Sequence, residues 1–288
     1  MRHWRKLGVL SLLAPALIVM AAYFIPLFAF LYSSFFGSQG AGPPQLITFD
    51  NYIRLFTNSY YVDVLFRTLW VAFILTIASL VLSYPVALAY NRNSSSYFRK
   101  ALLLAMVVPF LSGVVTLAYA WLVLLGNNGP INYLLIALGI NKAPVQLVFN
   151  WSGVYVSLLH FLVPFTTLTL ISGFQAASKV YEEAAFTLGA SVMQTLRQIT
   201  IPLTIPAIVT SASLTYALAV SAFVFPLLLG GGRAMMMSNM IYDQVLSTFD
   251  FPFAAALSVV FLIGTLITMA LFRVLERSVL RLLKMRAN

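Results

Sequence analysis

Side chains able to do covalent or acid–base chemistry are scarce in this chain, and their spacing argues against catalysis. The two histidines, His3 and His160, lie far apart, and there is no cysteine. That removes disulfides, thiolate metal sites and cysteine nucleophiles, and leaves metal catalysis little to build on. No G-x-x-x-x-G-K-[ST] run is present, and Gly230-Gly231-Gly232-Arg233 is no substitute for the phosphate cradle such a run provides. A membrane-embedded enzyme would need a convergent acid, base or nucleophile cluster, and none is visible. The chain is read as a non-enzyme with no metal site. Met235-Met236-Met237 is read as flexible packing rather than a metal ladder.

What remains is a segment suited to contact. The run Ser178-Lys179-Val180-Tyr181-Glu182-Glu183-Ala184-Ala185-Phe186-Thr187-Leu188-Gly189 continues, nine residues later, to Ile199-Thr200-Ile201-Pro202. It predicts a helix, a break and a second helix. Ser178 is a candidate N-cap, and Glu182 and Glu183 lie in the first turns, where the helix dipole favours negative charge. A capping box is absent there because position 181 is Tyr. Gly189 either ends the first helix with positive φ or lets two helices approach closely. Pro202 and Pro206 suit a turn leading into the apolar stretch beyond them. Two adjacent glutamates would be repelled by anionic headgroups, which argues against a loop lying on the membrane.

Other contact candidates are weaker. Tyr216, Ser221, Phe223 and Phe225 either line a path, where aromatic faces attract a cation, or pack helices. His160 either faces that path or packs. Asp63, Asp243 and Asp250 either attract an amine, stay solvated or dock a partner.

The elements that must position these residues are membrane spans. Hydrophobic residues make up 61% and charged residues 8%, against roughly 25% charged in a soluble domain. No charge lies between Lys6 and Asp50, Arg67 and Arg92, Lys100 and Lys142, Lys142 and Lys179, Arg197 and Arg233, or Asp250 and Arg273. A span needs about 20 apolar residues to cross about 30 Å of hydrocarbon. A charge at its centre costs about 2.5–3.5 kcal/mol on insertion scales. Each window therefore predicts one span, at about 9–35, 65–91, 101–125, 151–174, 205–229 and 251–272. The fold class is an all-α membrane protein of six transmembrane helices, since barrel strands would alternate apolar and polar residues.

With six spans, 13 lysines and arginines fall on one side and 4 on the other, which predicts cytoplasmic termini. The net charge of +10 follows from that topology and from anionic headgroups, with no basic face for nucleic acid. The apolar run after Lys6 continues to Phe36 without a small-residue cleavage site, and is read as a retained anchor. Asp50 to Phe56 suits a short amphipathic helix at the outer surface, with Asp50 as N-cap. Pro15, Pro26, Pro85, Pro109, Pro164 and Pro226 fall within or at the ends of spans, where they either line a passage or simply bend helices. The outer loops are too short to fold alone, so residues 1–288 are read as a single membrane domain with a contact loop at about 176–204.

The contact loop resembles the signature of ABC-importer permeases, E-A-A, three residues, G, nine residues, I-x-L-P. It matches at Glu183, Ala184, Ala185, Gly189, Ile199 and Pro202, with Ile201 in place of the usual leucine. Phe49-Asp50-Asn51-Tyr52, Ser83-Tyr84-Pro85-Val86-Ala87, Val107-Val108-Pro109-Phe110 and Pro226-Leu227-Leu228-Leu229-Gly230-Gly231 are similar to the first permeases of spermidine/putrescine-type systems. The resemblance implies a bacterial inner-membrane permease of type I importer fold working by alternating access. It implies two ATP-binding partner subunits that use ATP and Mg, a second permease, usually a different chain, and an extracytoplasmic solute-binding protein. It makes the loop, with Glu182 beside the signature, a coupling helix docked on the ATPase. A polyamine or related amine is the implied solute. The wider subgroup also imports ferric iron, thiamine, opines and aminoethylphosphonate. An ATP-independent channel or carrier would explain six spans but not the loop signature.

Overall fold

The charge-free windows fold as helices, because a backbone in hydrocarbon must satisfy its own hydrogen bonds. In the computed structural model, backbone is described for residues 2–37, 47–176 and 179–287, and side chains for 15–37, 47–175, 180–275, 277 and 278. The candidate cap Ser178 and the side chain of His3 lie outside the described residues. The helices are α1 (Arg2–Tyr32), α2 (Asp50–Thr57), α3 (Ser59–Arg92), α4 (Ser96–Leu111), α5 (Val114–Leu125), α6 (Pro130–Ala137), α7 (Trp151–Ala176), α8 (Lys179–Thr187), α9 (Val192–Thr195), α10 (Ile201–Val220), α11 (Val224–Leu229), α12 (Met237–Leu246) and α13 (Phe251–Ala287). A 3-10 turn, Ser33–Phe35, follows α1, and a π turn, Leu196–Thr200, joins α9 to α10. Among the described residues the β structure is one antiparallel bridge, Phe36 to Ile47. Among the described residues, six helical stretches are long and apolar enough to cross a membrane.

Two predicted spans differ in detail. The third, placed at about 101–125, is interrupted at Ser112–Gly113 between α4 and α5. Pro109 lacks the N–H that Ala105 O would accept in an unbroken helix, which weakens the last turn of α4. The apolar window begins beyond the break, at Val114, and runs through the turn at Gly126 to Ala137. The fifth, placed at about 205–229, begins earlier and stops earlier. Helix is continuous from Val192 to Val220, then breaks at Ser221–Phe223 before α11. Pro202 and Pro206 therefore form no turn. Pro202 directly follows the π turn Leu196–Thr200, where the hydrogen-bond ladder is locally rewound, so the helix passes through the proline instead of turning.

The described chain forms two compact units. One comprises residues up to 63 together with 240–263. Here α2 is held by Asn51, 2% exposed, whose Nδ2 donates to Ser34 O at 2.9 Å and Phe36 O at 2.7 Å. The cap of α2 is Phe49 rather than the expected Asp50, which lies in the first turn. Pro15–Phe35 has none of its apolar window buried within this chain.

The other unit, 64–239 with 264–288, holds the main bundle, in which α7 packs on α10, α4, α5 and α11. Helix α3 buries Val64, Leu65, Thr68, Val71, Ala72, Leu75, Thr76, Ser79, Ser83 and Ala87, a spacing of three and four that makes one face. Small residues let α7 and α10 meet closely: a Cβ on Gly173 would overlap the Cβ of Ala207. Several buried hydroxyls are satisfied by backbone carbonyls or by one another. Thr68 and Thr76 donate to carbonyls one turn back, at 2.7 Å each. Ser83 donates across to Val163 O at 3.0 Å, and Thr166 meets Thr215 at 2.8 Å. Met236 and Met237 are fully buried, with Met237 N–H donating to Thr68 Oγ1 at 2.9 Å, so this pair of the methionine triplet packs as expected.

Candidate functional site

The contact loop forms as a helix, a tight stop and a second helix. Helix α8 ends at Gly189, where φ is 81°. Its N–H donates to Phe186 O at 3.0 Å and the N–H of Ala190 to Ala185 O at 3.0 Å. This paired closure uses a left-handed residue that only glycine adopts without strain. A Cβ at Gly189 would meet nothing, so of the two roles open to this glycine it has the conformational one. The next helix opens with a capping box: Ser191 Oγ accepts from Gln194 N–H at 3.3 Å, and Gln194 Oε1 accepts from Ser191 N–H at 2.9 Å. The Ser-x-x-Gln spacing that carries it sits just after Gly189, not at the start of α8.

Between α8 and residues 198–203 lies a groove of about 420 Å³. Tyr181, Ala184, Ala185, Leu188, Ile199 and Pro202 line it. Alanines at 184 and 185 keep the groove open, where larger side chains would fill it. Its rim is apolar and bare: Leu188 is 87% exposed and Tyr181 59%. Large apolar side chains grouped at the surface mark a contact site. The structure thus brings together Ala184, Ala185, Ile199 and Pro202, with Gly189 at the turn that closes α8.

The two glutamates part company. Glu183 is exposed, and among the described residues it has no ion pair. Glu182 turns inward. Its Oε1 accepts from Thr200 Oγ1 at 2.6 Å and its Oε2 from Arg92 Nη2 at 3.2 Å. Four residues beyond Thr200, Thr204 Oγ1 meets Tyr84 OH at 3.1 Å. Arg92, Thr200 and Tyr84 were not among the sequence candidates, because their meeting depends on how α3, α8 and α10 cross.

Two of the path candidates, Tyr216 and Phe225, are buried. Tyr216 is fully buried with its ring edge-on to Phe272 at 5.5 Å. Phe225 is 1% exposed and packs on Phe161 at 5.7 Å. Both rings are spent on this chain's own helices. Ser221 and Phe223 lie at the break after α10, Ser221 exposed and Phe223 partly so. His160 is exposed on α7, and its Nδ1 accepts from Trp121 Nε1–H at 3.0 Å. That bond leaves the neutral imidazole with its proton on Nε2, a donor rather than an acceptor. The pair borders a cavity of about 360 Å³ that Pro109 and Pro164 also line.

Asp250 is already occupied. It pairs with Arg54 at 2.8 Å, and its Oδ1 accepts from Phe253 N–H at 3.2 Å, capping α13. Arg54 also lies over the Phe253 ring at 4.0 Å. Asp63 is exposed and Asp243 partly exposed. Among the described residues no group of three His, Cys, Asp or Glu side chains could hold a metal ion.

A family model described as binding-protein-dependent transport system inner membrane component matches residues 79–281. The chain is similar to the spermidine/putrescine transport system permease protein PotB of Salmonella typhimurium strain LT2, at 35% identity over 237 residues and 82% of each chain. It is 34% identical over 237 residues to PotB of Escherichia coli strain K12, covering 82% of this chain and 86% of that one. A chain of a bacterial ABC transporter involved in the import of the acidic polysaccharide alginate has the same fold, with a TM-score of 0.81 at 19% identity, over 96% of this chain and 99% of that one.

Proposed function

The chain belongs to the binding-protein-dependent transport inner membrane component family, and from that premise we propose that it passes a polyamine or related organic amine inward, driven by ATP hydrolysed in partner subunits. Membership makes it a multi-pass inner-membrane permease of ABC-importer fold. The polyamine reading is supported by the names of relatives at 35% and 34% identity over most of both chains. Ferric iron, thiamine, an opine or aminoethylphosphonate is the alternative cargo.

The observation that carries the coupling role is the groove between α8 and Pro202. An open apolar trough, walled by Ala184 and Ala185 and rimmed by bare Leu188, suits a protein partner better than solvent. Glu182, Glu183, Ala184, Ala185, Gly189, Ile199 and Pro202 form this ATPase-docking loop, with Glu183 meeting a basic partner residue. The loop lies on the cytoplasmic side, as do both termini, in keeping with 13 basic residues against 4.

The whole chain, 1–288, works as one permease domain beside a second, different permease chain, two ATP-binding subunits and an extracytoplasmic binding protein. ATP and Mg belong to the ATP-binding subunits. Their closure swings the permease pair between inward-facing and outward-facing states. Ser221, Phe223, His160 and Asp243 are the path candidates with exposed surface, whereas Tyr216 and Phe225 are buried in packing within the chain.

The test is reconstitution of the complete transporter with labelled spermidine and each alternative cargo. Uptake of spermidine that requires ATP and the binding protein, and that Glu183→Arg abolishes with the chain still inserted, is the expected result. Normal uptake by Glu183→Arg would sink the coupling assignment, and uptake of another cargo alone would replace the substrate.

A further inference from the structure

We propose that Glu182, with Arg92 and Thr200, is the linkage that carries motion of the docking helix α8 into α3 and α10; this rests on the reading of the loop as an ATPase-docking site. Among the described residues, backbone packing joins α8 chiefly to its chain neighbours, α9 and the π turn. The stop at Gly189 sets α8 off from the helix beyond it. That packing bears on α10 through the π turn, but it leaves α8 to tilt against α3 unless a side chain ties the two together.

The Glu182 carboxylate removes that freedom. One oxygen accepts from Thr200, 3% exposed, at the last position of the π turn that runs straight into α10. The other accepts from Arg92, the last residue of α3. The side chains of Arg92 and Glu182 are 30% and 20% exposed, so water screens the pair only in part. Both bonds are charge-assisted and so stronger and more directional than neutral ones. The chain of contacts continues inward. Thr204 donates to Thr200 O at 2.9 Å and meets Tyr84 of α3 at 3.1 Å, and Tyr84 rests on Phe174 of α7. One carboxylate in the first turn of α8 thus holds the cytoplasmic ends of two spans.

Adjacent glutamates therefore divide the labour. Glu183 is exposed and faces outward to a partner, and Glu182 faces inward to the spans. Removing the Glu182 charge should leave the groove and its rim in place while loosening their grip on the bundle. Glu182 is a positioning residue, and its loss should separate partner binding from transport.

The experiment uses the complete transporter in proteoliposomes, comparing Glu182→Gln, Arg92→Glu, Thr200→Val, the exchange Glu182→Arg with Arg92→Glu, and Glu183→Arg. Measurements are membrane insertion, retention of the ATP-binding subunits on purification, stimulation of ATPase by liganded binding protein, and uptake. Glu182→Gln and Arg92→Glu should keep the ATP-binding subunits attached and lose about tenfold in stimulation and uptake, within the range of allosteric couplings. Thr200→Val should lose less, and the exchange should restore uptake by returning an ion pair of opposite sense. Wild-type stimulation in Glu182→Gln overturns the proposal, as does an exchange no better than Arg92→Glu alone or loss of the ATP-binding subunits from Glu182→Gln. If Glu183→Arg abolishes uptake while Glu182→Gln is silent, the linkage alone fails. If Glu183→Arg is silent too, the docking reading fails with it.

Discussion

Leu188→Ala separates what the loop at α8 does for the chain from the partner docking proposed for it. Leu188 is 87% exposed, so its side chain contributes almost nothing to the packing of this chain. A Leu→Ala change in a core costs about 2–5 kcal/mol, whereas surface substitutions usually fall within about 0.5 kcal/mol. Thermal unfolding of the isolated permease should therefore hardly move. Docking is another matter. Leu188 lines the groove, and a partner that covers it removes the side chain from contact with water. The substitution deletes three carbons, worth about 0.8 kcal/mol each when buried, or about 2 kcal/mol in all. That is roughly a 30-fold weaker affinity. The assay is titration of the purified ATP-binding subunits onto the permease held in nanodiscs, with melting measured on the same preparation. A 30-fold loss of affinity at constant melting temperature is the expected outcome. Unchanged affinity would refute the groove as a docking surface, and a lowered melting temperature would mean that Leu188 belongs to the chain's own core.

Two more outcomes are expected from the helix contacts. Gly173→Leu forces α7 away from Ala207, which should cost about 1–3 kcal/mol as overpacking; denaturation in detergent should show it, with Gly173→Ala milder. Asp243→Asn should lower amine uptake at low ionic strength more than Asp250→Asn does, because Arg54 already neutralises Asp250; equal effects, read from initial uptake rates, would remove Asp243 from the path.

Span number and helical character are legible in the linear chain because they depend on charge placement, which is a property of that chain. Where helices stop is not. The break at Ser112–Gly113 and the break after Val220 fall inside uninterrupted apolar runs. A hydropathy argument sees only that hydrocarbon suits the side chains. It does not see that Pro109 has withdrawn a backbone donor, or that the chain is free to turn where surrounding helices cover it. The opposite error arises at Pro202. Proline next to a predicted span suggests a turn, yet helix runs through from Val192, its ladder rewound in the π turn Leu196–Thr200 just before the proline.

The site shows the same division between local and non-local information. Gly189 as a helix stop is local chemistry, and so is the Ser191–Gln194 box, which a spacing rule identifies. Ala184, Ala185, Ile199 and Pro202 can be grouped by the spacing they share with a known signature, and the groove they line gives that spacing a physical meaning. Glu182 is different. Beside Glu183 it looks like a second copy of the same charge, and nothing in a run of two glutamates tells which one faces the protein. The partners that distinguish them, Arg92 and Thr200, stand 90 residues before and 18 after. Only the crossing of α3 with the start of α10 brings both to one carboxylate. A residue's role in moving a helix is decided by what it holds at the other end, and in this chain that end is a different span.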